Sequence, residues 1–202
     1  MRLRLYTLIF LFVTSATILI STAFSNDKTI DVEYSQLTPT AKRQVDCLAQ
    51  NIYYEAGWEP EQGKVAVAMV TMNRLQQSER FGKDICSVVK QKVNSTCQFS
   101  WFCEGKKHVT NNFVYNQARE IAVYVYANYD KMHDITKGAL YYHADYVRPG
   151  WKLRRTVVIG RHIFYTEGGK HYDAKAKSST ERGFQFKTFF LPSDGRDLAG
   201  KY

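Results

Sequence analysis

The chain contains no internal repeat, no low-complexity tract, no C-x2-C pair and no H-E-x-x-H motif. The first two absences exclude repeat and fibrous architectures. The last two remove the most specific spacings for a structural or catalytic zinc site. Intrinsic disorder is excluded by composition, since 45% of the 202 residues are hydrophobic and only 23% are charged. A chain of this length reads as one domain with a possible appendage, large enough to fold without metal or oligomerisation. Acidic residues are scarce: 19 Asp and Glu face 28 Lys and Arg, a formal net charge of +9. Such a surface suits anionic partners, whether nucleic acid, lipid headgroups or an acidic polymer.

No charged residue interrupts the run from Leu5 to Phe24, which follows Met1-Arg2-Leu3-Arg4. Basic residues before a long apolar stretch form an export pattern, and Ser21-Thr22-Ala23 supplies small residues for cleavage. At about 20 residues the run is also long enough to span a bilayer. Residues 1–24 therefore read as a signal peptide or a retained signal-anchor, meeting the membrane or the export machinery. A buried core helix is the plainer alternative, though such helices seldom lack a polar stripe. Export demotes nucleic acid as the natural partner, and no nucleic-acid-binding motif supports one.

All four cysteines (Cys47, Cys86, Cys97 and Cys103) follow this segment, and an even number in an exported chain favours disulfides. Cys97 and Cys103 bracket a five-residue loop, and pairing them leaves Cys47 for Cys86. Three connectivities stay open. A zinc site of Cys86, Cys97, Cys103 and His108 is the rival.

Residues 25–37 are polar and read as a linker to a domain spanning 38–166. Thr38-Pro39 is an N-cap followed by proline at the first helical position. Val45, Leu48, Ala49, Ile52, Tyr53 and Ala56 repeat at helical spacing, and Gly57 with Glu59-Pro60 ends the helix. A second helix over 61–76 is apolar nearly all round and belongs at the centre. Asp84 caps a short helix, residues 93–109 read as loop, and a third long helix covers 110–128. Strands follow at 139–143, 156–159 and 162–165, the last two joined by a tight turn at Gly160-Arg161. From Glu167 to the end the chain is a polar, loosely patterned tail. The expected class is α+β, mainly helical with a small antiparallel sheet.

Glu55 falls about 20° from Leu48 on the helical wheel, which sets a carboxylate at the edge of the apolar stripe one turn from the helix end. A boundary charge is the ordinary reading of such a residue. Here, however, Tyr53, Tyr54 and Trp58 surround it, Gly57 opens a cleft wall, and the next helix must pack close by. A glutamate half-buried among aromatics can carry a proton and deliver it as a general acid, the chemistry of glycosidic-bond cleavage.

The stretch Asn51 to Ala68 (NIYYEAGWEPEQGKVAVA) with Asn73-Arg74 resembles the opening of the SleB-type, spore cortex-lytic cell-wall hydrolases. Cys97-Gln98-Phe99-Ser100-Trp101, Gly138 to His143 and Ile159 to Tyr165 resemble later blocks of that family in the same order, covering residues 44–166. The resemblance implies a lysozyme-like fold that cuts peptidoglycan between N-acetylmuramic acid and N-acetylglucosamine in the bacterial periplasm or envelope. It further implies a lytic transglycosylase in which Glu55 is acid and then base, with no protein nucleophile and no cofactor. Gly57-Trp58-Glu59 departs from the commoner Arg-Gly-Glu, which keeps the catalytic position and alters the local cleft.

Tyr54, Gln98, Ser100, Trp101 and Tyr142 are the expected substrate contacts, although Phe99 and Trp101 serve equally as core anchors. Tyr142 and His143 alternate along a strand, so one faces the cleft; the resemblance favours Tyr142 and leaves His143 a structural role. Glu59 is either a second carboxylate, which would make the enzyme a two-carboxylate hydrolase, or the cap of the following helix. Asn73-Arg74 reads as an internal anchor. Residues 131–165 hold seven basic and two acidic residues, a face for peptide-stem carboxylates or a merely solvated one. Two other functions compete. A zinc amidase would draw on His108, His133, His143, His162 or His171, which lack compact ligand spacing. A non-catalytic wall-binding module would need only the basic surface.

Overall fold

The computed structural model describes residues 29–105 and 108–168. The apolar segment 1–24 and the tail from 169 onward lie outside the described residues.

Helix α1 (Pro39–Ala56) starts as its sequence dictates. The Thr38 hydroxyl accepts the Ala41 N–H at 3.2 Å and Pro39 occupies the first turn, where no N–H is needed. Its stripe of Val45, Leu48, Ala49 and Ile52 is fully buried and packs along α2 (Glu61–Leu75) and α6 (Asn112–Asn128). Every residue of α2 from Gly63 to Arg74 is buried. Its small side chains allow close approach on all sides: Val65, Ala68 and Met69 meet the helical core, while Ala66 and Val70 meet Ala139 and Phe164 at the sheet. Gly57 ends α1 in a right-handed conformation, φ −55°. Glycine is required there by proximity, since a Cβ would lie 2.4 Å from the Tyr53 carbonyl oxygen and 3.1 Å from Val114 Cγ1.

Two short helices, α3 (Ser78–Phe81) and α4 (Ile85–Val89), follow α2. Asp84 caps α4 by accepting the Ser87 N–H at 2.7 Å. The expected 93–109 loop is in fact a small hairpin, β1 (Lys92–Val93) with β2 (Thr96–Cys97), then the single turn α5 (Ser100–Cys103). Its reversal uses left-handed Asn94 and Ser95, a turn too short to produce a period in the sequence. Disulfides join Cys47 to Cys86, tying α1 to α4, and Cys97 to Cys103. All four thiols are thereby consumed, which removes the zinc set that included Cys86, Cys97 and Cys103.

The main sheet runs β3-β5-β4, all antiparallel, from β3 (Tyr141–Ala144), β4 (Arg154–Ile159) and β5 (His162–Thr166). Gly160, at φ +55°, makes the β4–β5 turn. Alternation along β5 buries His162, Phe164 and Thr166. Tyr142 pairs with Phe164, so both project toward the helices, while His143 pairs with Ile163 and points the other way. Asn73 and Arg74 hold the approach to β3. The Asn73 amide donates to the Ala139 carbonyl at 3.0 Å and the Arg74 Nε to the Leu140 carbonyl at 2.8 Å. The Arg74 guanidinium lies 4.9 Å from the Phe99 ring centre.

Residues 29–37 are docked rather than linker-like. The Asn128 side chain accepts the Ile30 N–H at 2.6 Å and returns a bond to its carbonyl at 2.9 Å. The Tyr34 hydroxyl donates to Asp46 at 2.9 Å.

Candidate active site

A cleft of about 280 Å³ opens at the end of α1, lined by Tyr53 through Glu59 and by Thr110. Glu55, half-buried in the last turn of α1, enters it. The β3 residue Tyr142 donates its hydroxyl to Glu55 Oε2 at 3.0 Å. Burial first, and then the negative charge of Glu55, push the Tyr142 hydroxyl well above its ordinary range, with Arg74 working in the opposite direction. The phenol therefore remains a proton donor to the carboxylate. Arg74 is buried behind this pair; desolvation lowers its proton affinity, while Tyr142, Tyr141 and Glu55 favour its charged form.

The cleft walls are fixed by polar contacts. Tyr53 accepts the backbone N–H groups of Thr110 and Asn111 at 3.2 and 3.1 Å, tying α1 to the start of α6. The Thr110 side-chain bond and these backbone bonds lower the Tyr53 pKa. Tyr54 stacks on Trp101 with ring centres 4.6 Å apart. His162 sets its ring edge-on to Tyr142 at 5.1 Å, and burial holds its imidazole below the ordinary 6.5.

The site residues expected from sequence divide clearly. Glu55, Tyr54 and Tyr142 come together. Trp101 does not form a platform: it is 4% exposed and donates its indole N–H to Asn51 Oδ1 at 3.0 Å. It supports the cleft from beneath, through Tyr54. Gln98 is half-buried and Ser100 exposed, and neither lines the cleft. Glu59 lines it but is not the helix cap, because Pro60 takes that position. Instead Glu59 Oε2 accepts the Arg161 N–H at 2.9 Å, holding the β4–β5 turn against the start of α2. His143 stacks on Tyr165 and shares a 2.9 Å hydrogen bond with its hydroxyl. Among the described residues, no group of three or more His, Cys, Asp or Glu side chains is placed to hold a metal ion.

Asn51 was missed by the sequence reading. Its amide joins Trp101 to Thr71, donating to the Thr71 hydroxyl at 3.1 Å. A polar residue among the buried positions of α1 was the available signal. The Tyr53–Thr110 clamp left none: Thr110 reads as the start of the third long helix, whereas that helix begins at Asn112 and leaves Thr110 in the preceding loop.

The domain is thus mainly helical α+β, with Glu55 at a helix end hydrogen-bonded to the strand residue Tyr142. The cell wall hydrolase family model matches residues 58–165, more than half of the chain, so the protein belongs to that family and is an enzyme of the cell-wall hydrolase kind. Glu55 lies just before the matched span. The catalytic domain of the germination-specific lytic transglycosylase SleB from Bacillus anthracis is similar at 25% identity, covering 65% of this chain and 98% of that one, with a TM-score of 0.48. The catalytic domain of the Bacillus cereus SleB protein is similar at 23% identity, covering 70% and 99%, with a TM-score of 0.47. No curated protein matches the chain.

Proposed function

We propose that the enzyme cleaves peptidoglycan glycan strands between N-acetylmuramic acid and N-acetylglucosamine as a lytic transglycosylase, with Glu55 as the sole acid and base. The observation that carries this reading is the Tyr142–Glu55 hydrogen bond at the wall of an open cleft. Protonated Glu55 gives its proton to the bridging oxygen as the muramyl C1–O bond breaks, and the N-acetylglucosamine end departs with a free hydroxyl. The resulting carboxylate, held by Tyr142, removes the proton from the muramyl 6-hydroxyl while O6 bonds to C1. A 1,6-anhydro ring forms, Glu55 regains its proton, and no water is consumed.

Glu59 has a structural task in tying down the Arg161 backbone through Oε2, and the single-carboxylate route asks nothing further of it. The helix-and-sheet arrangement suits the lysozyme-like fold implied by sequence. Two disulfides fit an exported enzyme acting in the periplasm or envelope, with residues 1–24 directing or anchoring it. Among the described residues no helix is long and apolar enough to cross a membrane.

The test is fragment mass spectrometry of peptidoglycan digested by wild type and Glu55→Gln. Wild type yields anhydro-muramyl ends, and Glu55→Gln loses about 100- to 10,000-fold in rate with its melting temperature nearly unchanged. New reducing ends would instead indicate a hydrolase, free peptides an amidase, and wild-type rates in Glu55→Gln would remove the residue from the chemistry.

A further inference from the structure

Trp58 is the most exposed large apolar side chain among the described residues, at 83%. It stands one turn beyond Glu55 and lines the same cleft. An indole left in water forgoes the burial a core position would supply, and at the cleft beside Glu55 its free face is open to a ligand. The backbone beneath it is held on both sides. The Gly57 N–H donates to the Tyr53 carbonyl at 3.1 Å and the Glu59 N–H to the Ala56 carbonyl at 3.0 Å. The Glu59 side chain is anchored in turn to Arg161. Trp58 is thus an exposed ring on a fixed turn.

A second exposed ring belongs to the same end of the molecule. Phe113, 67% exposed, is in the first turn of α6, three residues after the cleft residue Thr110. Beside Trp58 the cleft offers carboxyl, phenol and hydroxyl groups from Glu55, Tyr53, Tyr54 and Thr110. Apolar rings combined with polar groups match a sugar, which has C–H faces and an equatorial rim of hydroxyls and amides. A purely apolar partner would strip water from the carboxyl and hydroxyl groups of the cleft without replacing its hydrogen bonds.

We propose that Trp58 is a stacking platform for a pyranose ring of the glycan strand, adjoining the linkage that is cut. This assignment rests on the reading of Glu55 above. It makes Trp58 a residue for substrate affinity and register, not for proton transfer.

The test uses the full chain and peptide-free glycan strands of alternating N-acetylglucosamine and N-acetylmuramic acid. In active enzyme, Trp58→Ala raises KM about tenfold, equivalent to about 1.4 kcal/mol, with kcat within about twofold, while Trp58→Phe recovers most of the loss. Direct binding is measured in Glu55→Gln and in Glu55→Gln/Trp58→Ala, where the second variant binds about tenfold more weakly. Equal dissociation constants in that pair, or a fall in kcat at unchanged KM, would overturn the platform. So would a self-association lost in Trp58→Ala without any change in glycan binding. Failure of the acid assignment is separate, appearing as cleavage products from Glu55→Gln whatever the binding constants.

Discussion

Tyr142 donates its hydroxyl to Glu55 Oε2 across 3.0 Å, joining the first strand of the main sheet to the last turn of α1. The two residues are 87 positions apart, and their meeting depends on the elements between them. Asn73 and Arg74, at the end of buried α2, grip the Ala139 and Leu140 carbonyls and so aim β3. Pairing with Phe164 then turns Tyr142 inward. The core thereby brings a proton donor to the carboxylate.

Tyr142→Phe tests that contact with little change in volume. A hydrogen bond to the charged form of a carboxylate favours that form, so removing the donor favours the protonated acid. The alkaline limb of the kcat/KM profile should move to higher pH, while kcat at the optimum falls about tenfold or more as Glu55 loses its fixed orientation. A stopped assay across pH 4–9 measures both. A profile overlying that of wild type would mean that the hydroxyl does not act on Glu55.

Glu59→Gln separates one-carboxylate from two-carboxylate chemistry. The amide oxygen can still accept the Arg161 N–H, so the hairpin stays attached to the start of α2, but the side chain can no longer serve as a nucleophile or base. Activity should remain within about fivefold of wild type, against the 100- to 10,000-fold loss typical of a missing acid–base group. Loss on that larger scale, with an unchanged melting temperature, would assign catalysis to Glu59. Gly160→Ala provides the converse perturbation. Alanine there would have to hold φ +55° and displace Glu59 Oε2, 2.0 Å from its Cβ, so it should lower thermal stability by straining the turn even though it removes no catalytic group.

Where a physical rule acts within a few residues, the sequence was readable. Thr38-Pro39, Asp84 and the Gly160-Arg161 turn were all located by local capping or turn chemistry, and α2 by apolar residues on every face. The position of Glu55 was legible because helical period places it at the edge of the apolar stripe, one turn from the helix end. What was not legible is set by distance along the chain. Glu59 resembles a helix cap until the hairpin more than a hundred residues later presents the Arg161 N–H to it. Trp101 resembles a glycan platform until Asn51, fifty residues earlier, takes its N–H and Tyr54 covers its face. The docking of residues 29–37 depends likewise on one side chain, Asn128, acting as a strand-like partner for Ile30.

His162 predicts how stability responds to acid. Its imidazole is buried beside Tyr142 and Phe164. Burial lowers its pKa below 6.5, opposed by the charges of Glu59 and Asp145 and reinforced by His143. With the folded value beneath the unfolded one, the unfolded chain binds the proton first. The stabilisation is complete above about pH 6.5 and is lost as pH falls from there toward the lower folded value. His162→Gln, which cannot titrate, should lose less melting temperature than wild type between pH 7.5 and 5.0, even if it starts lower from imperfect packing. The difference between the two slopes isolates His162 from carboxylates common to both proteins. Parallel slopes would mean that the imidazole takes up its proton without opposition from the fold.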